Sequence, residues 1–128
     1  MSSPNFQTPL KRVNGLGSAK SGTRHFIVQR VTAVALVPLC LWAIFLALAL
    51  MHADYAQARE ILHHPFAAVW LSAFVIAGFW HAQLGLQVVI EDYVHTPWLE
   101  IASQLAVKFF CFAGALTSVF AIVRIALA

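Results

Sequence analysis

The sequence is short of charge. Asp, Glu, Lys and Arg make up 10% of its 128 residues, where a soluble domain carries roughly a quarter. The gap is filled by apolar residues, 61% of the chain, and mean hydropathy is +0.79. This is a membrane composition, and it excludes an ordinary water-soluble fold. Acid is absent ahead of the first apolar run, whereas five of the eight basic residues, Lys11, Arg12, Lys20, Arg24 and Arg30, stand there. Nucleic acid does not explain that cluster, because it abuts a candidate span and has no interleaved aromatic platform. The positive-inside rule does explain it, with the N-terminus cytoplasmic.

Other absences narrow the chemistry. No glycine-rich phosphate loop occurs. No Cys-x-x-Cys-His occurs either, which excludes covalent c-type haem attachment. The only two cysteines, Cys40 and Cys111, fall inside apolar runs and read as buried apolar thiols. The first apolar run begins after thirty residues and is long enough to span, so a secretory signal is not expected. The leader is Ser-rich and acid-free, as a mitochondrial transit peptide is, but it shows no clear amphipathic helix. A bacterial inner membrane is expected over a mitochondrial one.

At ~20 residues per crossing, a chain of this length has room for three or four spans and no separate soluble domain. Residues 1–30 read as a basic cytoplasmic segment and 31–128 as an all-α integral membrane domain of three transmembrane helices. Val31 to Met51 is free of charge and would reach about 31 Å, the thickness of the hydrocarbon core. A polar connection, His52 to His64, ends before Pro65, a residue suited to open a helix. The second span runs over 66–90 and leads into Glu91, Asp92, Tyr93, with Pro97 expected to stop its helix. The third runs over 99–123, with Lys108 inside it and Arg124 at its far end. Pro38 is expected to kink the first span, which lipid-embedded bundles tolerate.

Polar groups at membrane depth are expensive, so each is a functional candidate. His81 is the deepest histidine. On a helical wheel Gly78 and Gly85 fall about 60° and 40° from it, and Asp92 about 20°. A glycine groove beside an imidazole suits a flat, bulky group such as a porphyrin; it equally suits close helix packing, with the histidine bonding across the interface. Asp92 and Tyr93, where the helix leaves the bilayer, are suited to hydrogen-bond and protonate a carbonyl of a lipid-soluble substrate. They equally read as an interfacial tyrosine with a solvated acid beside it. Gln83 and Gln87 lie nearly opposite His81 and read as interhelical hydrogen-bonding groups. Lys108 reads as snorkelling to the rim, and His63 and His64 as loop residues. His25 and Arg30 stand at the entrance of the first span, on the side where Asp92 emerges. There Arg30 is suited to neutralise a propionate or an anionic lipid headgroup.

The run Arg30-Val31-Thr32-Ala33 opening a first span, and the pattern His81-Ala82 with Leu84-Gly85-Leu86-Gln87-Val88-Val89 and then Asp92-Tyr93-Val94 in the second, resemble the small hydrophobic anchor subunit of succinate dehydrogenase, respiratory complex II. The leader with Gly15, Gly17, Gly22, His25 and Gln29-Arg30 is similar to the form found in bacteria close to the mitochondrial lineage. The resemblance implies that His81 is the haem b axial ligand contributed by this chain and so the ligand of the haem iron. It also implies that Tyr93 hydrogen-bonds ubiquinone with Asp92 beside it, and that Arg30 lies near the haem propionates, His25 being a further candidate for that contact. The second haem ligand would come from a partner cytochrome b anchor subunit. The pair would dock an iron–sulfur subunit and a flavoprotein subunit, passing electrons from succinate, in the tricarboxylic acid cycle, to ubiquinone. This chain would hold no succinate site. A fumarate reductase anchor and a cofactor-free structural anchor are the rival readings. Lys108 matches no family feature, and no acid sits between His25 and Arg30 as in some members.

Overall fold

The computed structural model describes Thr8, Leu10, Val13 and residues 22–127. Lys11, Arg12, Lys20 and the glycines at 15 and 17 lie outside the described residues. Four helices follow one another: α1 (Gly22–His52), α2 (Tyr55–His63), α3 (Pro65–Tyr93) and α4 (Pro97–Leu127). Helices α1, α3 and α4 have 31, 29 and 31 residues and are each long and apolar enough to cross a membrane. At 1.5 Å per residue they rise about 44–46 Å, so each extends past a hydrocarbon core of about 30 Å. The first helix begins ahead of the apolar run and carries Arg24, His25 and Arg30 in its opening turns.

Local chemistry sets the helix ends. The chain turns at Ala53 and restarts on Asp54, whose carboxylate accepts from the Gln57 backbone N–H at 2.8 Å while the Gln57 side chain accepts from the Asp54 N–H at 3.3 Å. This reciprocal capping box builds the short helix α2 inside what reads in sequence as a loop. His63 is therefore helical, its Nε2 accepting from Arg59 Nε at 3.0 Å, and His64 caps α3 with its Nδ1 accepting from the Phe66 N–H at 3.3 Å. Pro65 opens α3, as its fixed φ and missing N–H favour. Pro97 has the same role in α4 rather than ending α3, which stops four residues earlier at Tyr93 with the Val94 N–H bonded to Ile90 O. Helix α1 runs through Pro38 unbroken.

Helix α3 is central, with α1 on one side and α4 on the other, and α2 lies against one end of α3 and α4. The α1 stripe turned inward is His25, Gln29, Thr32, Leu36, Leu39, Trp42 and Leu46, at spacings of three and four. Trp42 meets Phe66 edge-on at 6.3 Å and Trp70 at 5.8 Å near the α2 end. On the other side Gly114 of α4 lets the Phe79 ring in so closely that a Cβ there would stand 2.6 Å from it. Burial is sparse: Leu39, Ala67, Leu84, Cys111 and Thr32 are buried, and among the described residues no large side chain is fully enclosed. Cys111 is the buried thiol expected, but Cys40 is exposed on the outer face of α1. Lipid or another chain has to cover that face, since three helices with one central member leave most apolar side chains turned outward.

Candidate functional site

His81 sits past the middle of α3, half-buried, with its Nδ1 3.0 Å from Thr32 Oγ1 of α1. Thr32 is 8% exposed and is the one buried polar residue among those described. Its hydroxyl also lies 3.0 Å from both Val28 O and Gln29 O, back on its own helix. The imidazole is thus tied to α1 through one nitrogen. Its Nε2 has no hydrogen bond among the described residues and is not one of their buried unpaired atoms, so it opens to the outer surface of the chain.

The surroundings of that nitrogen are lean. A Cβ placed on Gly78 would meet nothing within 4 Å, so one turn before His81 the α3 backbone borders open space. Gly85 is different: it faces Gln29 Nε2, 3.6 Å from where its Cβ would be, and serves the α1–α3 contact. Two buried polar atoms, His25 Nε2 and Gln29 Oε1, have no partner. Buried polar atoms are nearly always satisfied in proteins, so this pair is an exception on the inward stripe of α1. His25 also lines a cleft of about 390 Å³ with Gly22, Arg24, Val28, Trp80, Leu84, Gln87 and Glu91. That cleft brings the beginning of α1 to the end of α3.

Asp92 and Tyr93 close α3 and are both exposed, Tyr93 to 79%. Neither side chain is hydrogen-bonded within the described residues. Because α3 is unbroken from Pro65 to Tyr93, Asp92 stands about 16 Å along the axis from His81. Arg30 does not approach His81. It points outward with its guanidinium 5.0 Å from the Phe26 ring centre, about 160° round α1 from Thr32. Gln87 is not an interhelical group: its amide donates to Glu91 Oε1 at 2.8 Å, one turn along the same helix. Gln83 faces α4, lining an apolar cavity of about 360 Å³ with Phe79, Cys111 and Phe112. Lys108 is exposed on α4.

Thr32 is the site residue that sequence reasoning missed. The available signal was a hydroxyl on the α1 stripe that also carries His25 and Gln29, at spacings of four and three.

Comparison with known proteins gives the family of the chain. Residues 4–115 match the family described as succinate dehydrogenase/fumarate reductase transmembrane subunit. A succinate dehydrogenase hydrophobic membrane anchor subunit of Rickettsia bellii is 38% identical over 105 residues, covering 82% of this chain and 84% of that protein. The equivalent subunit of Rickettsia conorii is 35% identical over 83% of this chain and 85% of its own length, and that of Paracoccus denitrificans 34% identical over 69% and 68%. No solved structure matches the chain. Three long apolar helices, a match over most of the length and relatives of one kind together show that the chain belongs to the succinate dehydrogenase/fumarate reductase transmembrane subunit family, as a membrane anchor subunit of succinate dehydrogenase.

Proposed function

We propose that this anchor supplies one axial ligand to a haem b shared with a second anchor subunit and forms part of a ubiquinone-reducing site. The observation that carries the haem reading is the state of His81: Nδ1 tied to Thr32 and Nε2 open at the chain surface. A metal-bound histidine uses one ring nitrogen for the metal and the other for a fixing hydrogen bond. The open backbone at Gly78 fits a flat macrocycle beside that nitrogen, and the unpaired His25 Nε2 and Gln29 Oε1 fit polar groups from outside the chain. The other five histidines, His25, His52, His63, His64 and His95, stand at helix ends or in connections rather than within a span, so the second ligand is assigned to the partner. Bound there, a haem supplies a one-electron carrier at membrane depth.

This chain's own residues do the rest. Arg30, exposed and on the face of α1 turned away from Thr32, is suited to a lipid phosphate, and reaches a propionate only if the macrocycle extends round α1. Tyr93 donates its phenolic hydrogen bond to a quinone carbonyl and orients the ring, and Asp92 relays protons from the aqueous rim. Two electrons from succinate, delivered through a flavoprotein and an iron–sulfur subunit, and two protons convert the quinone to quinol. With α1 entering from a basic segment, the α1 start and the Asp92–Tyr93 end face the cytoplasm of a bacterial inner membrane.

The Thr32–His81 bond also favours a second reading, in which His81 only ties helices together and the anchor holds no cofactor. A dithionite-reduced minus oxidised spectrum of the complex purified through this chain separates the two. A low-spin b-type spectrum lost in His81→Ala is the expected result; a wild-type complex without haem leaves the packing reading. For the quinone site, Tyr93→Phe should lower succinate:ubiquinone reductase activity about tenfold, the worth of one strong hydrogen bond. Activity at the wild-type level removes Tyr93 from the site. A reductase that runs faster with quinol and fumarate than with succinate and ubiquinone would reassign the direction to fumarate reduction.

A further inference from the structure

Thr32 has one hydroxyl proton and three neighbours at 3.0 Å: Val28 O, Gln29 O and His81 Nδ1. The two carbonyl oxygens can only accept, and oxygen atoms that close repel unless a hydrogen lies between them. Back-bonding of a helical threonine to the carbonyls three and four residues earlier is also the usual satisfaction of its hydroxyl in an apolar setting. The proton is therefore committed to α1, and what Thr32 turns toward α3 is a lone pair. His81 Nδ1 must then be the donor. The proton sits on Nδ1, and the lone pair of the neutral ring is left on Nε2, the nitrogen open to the outside.

From this geometry we infer that Thr32 is the positioning residue of the His81 ligand: it selects the tautomer that leaves Nε2 free and holds the ring against rotation. The inference rests on the haem reading of His81. Three features separate it from incidental packing. Thr32 is the buried polar residue of the described chain, so its hydroxyl has no competing solvent. The Gln29 amide beside it packs on Gly85, fixing α1 against α3 one turn beyond His81. The bond joins residues 49 apart in sequence, so it forms only when α1 and α3 are docked. Ligand orientation is thereby coupled to assembly of the helix pair. A hydrogen bond accepted from the distal ring nitrogen also makes the ligating nitrogen a stronger donor, which favours the ferric over the ferrous ion.

The test uses the assembled complex with wild type, Thr32→Val, Thr32→Ser and His81→Ala, measuring haem per flavin, the midpoint potential of the haem, and the low-spin electron paramagnetic resonance signal of its oxidised form. Valine keeps the shape of threonine and removes the acceptor; serine keeps the acceptor. The expected result is a midpoint potential moved upward and a shifted low-spin signal in Thr32→Val, or loss of haem from a complex that still binds its flavoprotein, with Thr32→Ser returned to wild-type values. Thr32→Val with full haem and an unchanged potential and signal overturns the inference, as does Thr32→Ser behaving like valine. If the valine complex does not assemble, Thr32→Ala takes its place and is read the same way. Failure of the underlying reading shows elsewhere: a wild-type complex without haem, or unaltered haem in His81→Ala, sinks the ligand assignment and this inference with it.

Discussion

Gly78 and Gly114 are both half-buried glycines inside long helices, and they serve opposite needs. A Cβ on Gly114 would come within 2.6 Å of the Phe79 ring, so the missing side chain is filled from within the chain. Gly114→Ala should displace that ring and destabilise the α3–α4 pair by about 1–3 kcal/mol, the usual cost of overpacking, read as a lower midpoint of thermal inactivation with the haem spectrum retained. Gly78 borders open space in this chain, so Gly78→Leu should leave α3–α4 stability alone and lower haem per flavin. Full haem occupancy in Gly78→Leu would show that no macrocycle lies beside that backbone. Legibility at this scale was uneven for a physical reason. His81 stood out because an imidazole among apolar neighbours is costly wherever it faces. Thr32 did not, because a threonine near the start of a span satisfies itself on its own helix, and nothing local reveals a partner 49 residues away.

The three long helices were readable because sustained apolar runs of spanning length have few alternatives. Their ends were less so. Pro65 and Pro97 carry the same backbone restriction, yet only the first was read as a helix start; the second follows a strongly helical stretch and looked like a stop. Structure shows both at first positions, because the chain has already left α3 at Val94. Helix α2 went unseen since nine residues, four of them polar, make no spanning signal, and only the Asp54–Gln57 box announces it. That box is exposed and isolated from the site, which makes it a clean test of capping. Asp54→Ala should cost α2 about 1 kcal/mol, seen as faster hydrogen exchange at amides 55–59 with haem content and reductase activity unchanged. Exchange at the wild-type rate would mean that packing on α3 and α4, rather than the cap, holds α2.

Taken whole, the molecule is a central helix with two flanking ones and few enclosed side chains, a design that leaves both broad faces to lipid and partner subunits. Three crossings place the connection 94–96 at the same end as the start of α1, and α2 at the other. The cleft shared by Gly22, Arg24, His25, Gln87 and Glu91 is the direct expression of that arrangement. Basic residues gather at the α1 end, and the proposed orientation therefore turns that end to the cytoplasm, although Glu91, Asp92 and Glu100 lie there too. Acidic residues contribute little to orientation, so the arginines and lysines decide. Introduced cysteines make the assignment measurable, because Cys40 and Cys111 lie within the spans, away from an impermeant reagent. In intact cells or right-side-out vesicles, Ala56→Cys on α2 should react with a membrane-impermeant maleimide, and Thr96→Cys should react only after the membrane is opened. The reverse pattern would place Asp92 and Tyr93 on the outer side, away from any cytoplasmic iron–sulfur subunit, and a quinone site built on them would lose its electron source. Equal labelling of both positions would mean an even number of crossings between them, which α3 as a single unbroken span forbids.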